Sequence, residues 1–227
     1  MGISQKESEL FEEWRGSRTG FVSDGVVSET EYLNSHIKLC FVLKEVNDLD
    51  GGGWDLRAFI RDGARPQTWD NITRWINCIQ NNQEDINWSE LESISHDDRV
   101  ETLRSICSMN LKKSPGTHTT VKASFDKAVE EDKQFIKKQY ELYKPDLTIC
   151  GGTGWALRHV LGLNQSEVFT TTRGIKWFLN TQNNPVIIYV HPEARVQNSL
   201  LTYGLIDAVR EILDVTEKNN ETQLNQL

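Results

Sequence analysis

No apolar stretch of this chain approaches the ~20 residues that a membrane-spanning helix needs. Its longest apolar runs, Leu39–Leu43 and Val186–Val190, are five residues each. The N-terminal segment Met1–Glu13 is polar and acidic and lacks the apolar core of a signal peptide. Together these absences predict a cytoplasmic protein with no membrane partner. Cysteine is scarce, and Cys40, Cys78, Cys107 and Cys150 form no Cys-x-x-Cys pair. Buried reduced thiols are expected rather than a metal or cluster site. A basic excess is missing too. The formal charge of −8 argues mildly against nucleic acid, whose binding is driven by phosphate neutralisation. Distribution matters more than the total. Acid gathers at 7–13, 84–98, 130–132 and 207–221. Lys112, Lys113, His118, Lys122, Arg158, His159, Arg173, Lys176, His191 and Arg195 make the segments between locally basic.

What the chain does contain is an alternation of strands and helices. Residues 37–46, 103–109, 147–150 and 186–190 read as strands, the first a near-continuous apolar run of the kind buried on both faces. Trp69, Ile72, Trp75, Ile76 and Ile79 recur at helical spacing, so residues 68–80 predict an amphipathic helix. Further helices are expected at 4–15, 54–61, 119–142, 155–161 and 198–213. A hairpin is expected around Arg173-Gly174, and 81–96 reads as a polar insertion. The predicted fold class is α/β: a three-layer α/β/α sandwich around a central, mainly parallel four-stranded sheet. With 227 residues and no repeat or clear linker, one domain is expected, and a monomer. Residues 1–30 read as an N-terminal helical extension and 217–227 as a disordered tail.

Each predicted strand ends in a polar cluster: Lys44-Glu45-Val46-Asn47-Asp48, then Asn110-Leu111-Lys112-Lys113-Ser114-Pro115-Gly116, then Gly151-Gly152-Thr153-Gly154, and His191-Pro192-Glu193-Ala194-Arg195. Parallel strands put these ends on one side, where ligands of open α/β sheets bind. Alone, His191 reads as a satisfied structural group, Asn110 as a turn former and Lys112-Lys113 as solvated surface. The glycine run lacks the full G-x-G-x-x-G spacing of a dinucleotide loop and reads as a close strand-to-helix turn.

Taken in order, the clusters resemble the uracil-DNA glycosylase superfamily over about residues 37–213. Lys44–Asp48 sits where the iron–sulfur branch has Gly-Glu-Ala-Pro-Gly. Met109–Gly116 is similar to that branch's Asn-x-x-Lys-Cys-Arg-Pro-Pro-Gly segment, and Lys144–Gly151 to its Lys-Pro-x-x-Ile-x-x-x-Gly strand. His191-Pro192 matches the closing His-Pro pair, and Pro66–Ile72 is like the Pro-Ser-Leu-x-Asn-Ile helix start of the main uracil enzymes. The resemblance implies a DNA glycosylase that acts on a flipped-out base in single- or double-stranded DNA. It implies catalytic roles for Glu45 and His191, with Asp48 ranked behind Glu45, and base contacts from Asn110 and Phe59. Arg195, Lys112 and Lys113 would hold phosphates.

Two departures shape the substrate expectation. The main uracil enzymes follow the first strand with an aspartate and a tyrosine that walls off C5. Here Val46 and Leu49-Asp50-Gly51-Gly52-Gly53-Trp54 stand instead. A missing wall would admit a bulky C5-modified pyrimidine such as glucosylated hydroxymethylcytosine of phage DNA, making the protein a defence enzyme. Asn47, Asp48 and Asp50 would bond the sugar hydroxyls and Trp54 would stack on the pyranose. The cysteines of the iron–sulfur branch are missing as well, and neither a cofactor nor a metal is expected. Uracil repair, a non-catalytic base or nucleotide sensor, and a free-nucleoside hydrolase are the competing readings.

Overall fold

The computed structural model describes residues 1–81, 86–117 and 119–224; His118 and part of the 81–96 segment lie outside them. The chain runs α1 (Ile3–Arg15), β1 (Gly25–Val26), α2 (Glu29–Asn34), β2 (Leu39–Leu43), α3 (Leu56–Arg61), α4 (Pro66–Gln80), α5 (Trp88–Leu91) and α6 (His96–Thr102). It continues through β3 (Cys107–Asn110), α7 (Lys122–Glu131), α8 (Lys133–Tyr143), β4 (Leu147–Gly151), α9 (Gly154–Val160), β5 (Phe169–Thr170), β6 (Lys176–Leu179), β7 (Pro185–Tyr189) and α10 (Asn198–Leu224). The fold class is α/β.

The sheet corrects the expected count. Among the described residues it has seven strands in the order β1-β3-β2-β4-β7-β6-β5, and it is mixed rather than a four-stranded parallel sheet. Its centre, β3-β2-β4-β7, is parallel throughout. β1 adds antiparallel at one edge, and the β5–β6 hairpin does so at the other. The β5–β6 hairpin is the one expected around Arg173-Gly174, now joined to β7, whereas β1 escaped the sequence reading because it is two residues long.

Burial on both faces explains the unbroken apolar run of β2. Leu39, Phe41 and Leu43 point into one core with Trp69, Ile72 and Trp75 of α4 and Leu205 and Val209 of α10. Cys40 and Val42 point into a second core with Phe11 and Trp14 of α1, Phe125 of α7, Tyr140 of α8 and Leu157 of α9. Full burial of each such aliphatic or aromatic side chain stabilises the fold by about 1.5–3 kcal/mol. Pro66 at the first position of α4 starts that helix two residues earlier than the apolar spacing predicts.

Other expectations shift. The single helix over 119–142 is broken at Asp132, where φ −98° and ψ 5° leave the helical region. The Asp132 carboxylate there meets Arg18 at 2.7 Å. The strand expected from Leu103 begins at Cys107, because Leu103–Ser105 forms a 3₁₀ turn continuing α6. The polar 81–96 segment is docked rather than looped out where it is described: Arg74 donates to the Leu91 and Glu92 carbonyls at 2.7 and 2.9 Å. α10 continues to Leu224 through most of the expected tail. The first 30 residues are part of the domain, since they supply β1 and the fully buried Glu7. Among the described residues no helix is long and apolar enough to cross a membrane.

Candidate active-site cleft

At the carboxyl edge of the parallel strands lies a cleft of about 700 Å³, lined in part by Glu45, Asn47, Trp54, Phe59, Asn110 and His191. Six sequence-predicted residues therefore share one cavity. The β2 and β3 ends stay zipped together beyond the strands proper. Leu111 N–H donates to Leu43 O, Lys112 N–H to Lys44 O, and Gly116 N–H to Val46 O, at 3.0, 2.9 and 2.9 Å. This pairing holds Glu45 and Asn110 side by side.

His191 is fixed by its own turn. Its Nδ1 accepts the Glu193 backbone N–H at 3.1 Å, so the neutral ring carries its proton on Nε2 as a donor. Burial pushes its pKa down, Lys44 adds to that, and the Glu193 carboxylate opposes it. The turn is anchored from α4, where the buried Asn71 amide donates to Pro192 O at 2.8 Å and Asn198 Oδ1 at 3.0 Å. Asn71 belonged to a recognised segment, but its role in holding the histidine turn was invisible in sequence.

Asn110 is 4% exposed, and its side-chain amide takes no partner among the described residues. Its backbone is clamped instead. Asp24 Oδ2 accepts the Asn110 N–H at 2.8 Å, and Lys113 Nζ donates to Asn110 O at 2.9 Å and to Asp24 Oδ1 at 2.5 Å. Gln139 donates to the same Asp24 oxygen and to Tyr143 Oη, each at 2.7 Å. This corrects the expectation for Lys113. Its side chain is 1% exposed and faces Asp24, so no phosphate reaches it. Burial draws its pKa down against the pull of Asp24. Lys113→Met is expected to cost about 3–5 kcal/mol in equilibrium urea unfolding, because it strands a buried carboxylate. Asp24→Asn in the same chain should restore much of that loss, and a single-variant cost under about 1 kcal/mol contradicts the clamp.

Glu45 is a buried carboxylate, its side chain 4% exposed, ion-paired to Lys112. Lys112 is thus a counterion to the candidate catalytic acid and not a free phosphate contact. A Cβ on Gly116 would stand 2.4 Å from the Glu45 carboxyl carbon, so glycine there lets the acid lie beneath the loop.

Asp48 does not line the cleft. Its carboxylate accepts Asp50 N–H, Gly52 N–H and Trp54 Nε1–H at 2.8, 2.8 and 2.7 Å, which holds its pKa below the usual range. It organises the loop and aims Trp54, whose ring meets Phe59 edge-on at 5.8 Å. Gly51, Gly52 and Gly53 all have positive φ, and a Cβ on Gly52 would sit 2.3 Å from Gly20 O, so the glycine run is a fixed backbone path. Arg195 is exposed and outside the lining. The basic segments are largely neutralised: Lys122 pairs with Asp126, His159 with Glu130 and Arg173 with Asp207. Sequence reasoning missed Lys44 and Arg65, the cations that do line the cleft.

The cysteines do not fit an iron–sulfur cluster. Cys78 packs in the core on one face of the sheet, and Cys40, Cys107 and Cys150 pack in the core on the other. Among the described residues no group of three or more His, Cys, Asp or Glu could hold a metal ion. No family model matches the chain, and no curated protein matches it.

Proposed function

We propose that the protein is a DNA glycosylase that hydrolyses the N-glycosidic bond of a flipped-out pyrimidine and leaves an abasic site. The observation that carries this reading is the convergence of Glu45, Asn110, His191, Phe59 and Trp54 on one strand-end cleft. A base stacked on Phe59 would present its Watson–Crick edge to the unpartnered Asn110 amide, which offers both a donor and an acceptor. Bond cleavage leaves positive charge on the sugar and negative charge on the base. Glu45, ion-paired to Lys112, faces the first, and the Nε2–H of neutral His191 faces the second. Helices against both faces of the sheet support the three-layer architecture of such enzymes.

The substrate we favour is a bulky C5-modified pyrimidine such as glucosylated hydroxymethylcytosine, which would make the enzyme antiviral. About 700 Å³ falls in the range of pockets that enclose drug-sized ligands, more than a bare base requires. Asn47 and the Trp54 face are the loop's contributions to such a sugar. Asp48 is engaged in holding the loop. Supplying DNA with uracil or with glucosylated hydroxymethylcytosine and scoring alkali-labile sites tests the assignment. Strand breaks in the glucosylated DNA alone are expected, whereas breaks only in uracil DNA would assign repair instead.

The Glu45–Lys112 pair gives a sensor reading its one specific support, because an ion-paired acid is also what a purely binding pocket would hold. Binding without any abasic site in either DNA would favour that reading.

A further inference from the structure

We infer that Lys44 is a second leaving-group residue: its ammonium and the His191 imidazole together form an anion site that receives the departing nucleobase. The inference rests on the glycosylase reading above and adds a residue to its chemistry. Lys44 follows β2 and His191 follows β7, and both line the cleft. Between them runs β4, in register with each: Val42 pairs with Cys150, and Gly151 with Tyr189. That middle strand ends in two glycines. A Cβ on Gly152 would stand 3.5 Å from Lys44 Cε and 3.9 Å from its Nζ. One on Gly151 would stand 2.6 Å from Leu43 Cδ2 and 3.7 Å from His191 Cα. The bare turn lets the two side chains face the cleft across backbone alone.

Lys44 also differs in its charge from the lysines around it. Lys112 is paired with Glu45 and Lys113 with Asp24, whereas Lys44 has no ion pair among the described residues. A partly buried cation in a cleft, with no carboxylate paired to it, is placed to receive an anionic ligand. The glycosidic reaction supplies one. The C1′–N bond breaks with both electrons going to the base, and a water beside Glu45 adds its oxygen to C1′ and passes a proton to solvent. The base leaves as an anion with charge delocalised onto its exocyclic carbonyl oxygen, to be protonated later from solvent. A neutral imidazole gives that oxygen a hydrogen bond but no charge. Lys44 supplies the charge. Of the two carboxylates that line the cleft, Glu193 lies against His191 and is engaged by the Thr68 hydroxyl, and Glu45 is paired with Lys112.

Binding of two free bases tests the site without any need for cleavage. 5-Nitrouracil is an anion at neutral pH and uracil is neutral, and each is titrated by calorimetry into wild type, Lys44→Gln and Lys44→Arg. Wild type should prefer the anion. Lys44→Gln should lose about tenfold in affinity for 5-nitrouracil with uracil changed less than about twofold, and Lys44→Arg should recover most of the loss. Equal losses for both bases, no loss for either, or no binding of either base to wild type overturns the anion site. Anion preference that depends on Lys44, in a protein that leaves modified and uracil DNA intact, would overturn the glycosylase reading and the leaving-group role with it, and leave only the anion site standing.

Discussion

Glu45→Gln is expected to slow base release by about 10²- to 10⁴-fold, the range for losing a positioned acid–base group. The amide matches the carboxylate in shape but carries no charge to oppose the developing sugar cation. It also removes the partner of Lys112, whose side chain is only 11% exposed. Leaving that ammonium without its anion is expected to destabilise the fold, at most by the 3–5 kcal/mol of a broken buried pair. The two effects separate in the double variant Glu45→Gln/Lys112→Met, followed by urea unfolding and single-turnover excision. Stability should return while the rate stays low. A double variant that regains the rate with the stability would make Glu45 a purely structural residue.

His191→Ala is expected to lower excision by about 10²- to 10³-fold, as loss of one oxyanion-type donor does elsewhere. The pH profile of wild type carries a sharper signature. The ring is neutral in the folded protein because burial, aided by Lys44 and opposed by Glu193, pushes its pKa below the ordinary 6.5. The His191 contribution should therefore be constant through neutral pH and decline only below the ordinary histidine range. Protonation of Nδ1 would also remove the acceptor that the Glu193 N–H uses. The linked stability has a definite sign. Below about 6.5 the unfolded chain binds the proton more readily than the folded one, so stability falls as pH drops from 6.5 to the depressed value and is unaffected above it. A rate that rises on acidification from pH 7 to pH 6 would mean that the imidazolium is the working form.

Strand-end chemistry was legible in the sequence because parallel strands leave little freedom about where their carboxyl ends lie. Glu45, Asn110 and His191 lie at or just past the ends of segments read as strands, and all three line the cleft. Phe59 and Trp54 were legible only through position after the first strand. What could not be read was the fate of charges. Lys112 and Lys113 are adjacent in sequence, yet one meets Glu45 and the other Asp24, 89 residues away and on a segment with no strand-like pattern. A charge pair of that kind depends on β1 docking beside β3, and a two-residue strand leaves no periodicity to detect. The loop carboxylate misled for a related reason. Asp48 reads as a second catalytic acid until its three donors are seen, and two of them are backbone groups that any residue could supply.

Mass spectrometry of the products from a single oligonucleotide carrying glucosylated hydroxymethylcytosine tests the central claim most directly. The predicted result is a free modified base and an abasic strand in equal amounts, with both lost in His191→Ala and Glu45→Gln. An oligonucleotide of unchanged mass after prolonged incubation with bound wild-type protein, or release of base by both variants at the wild-type rate, would contradict it.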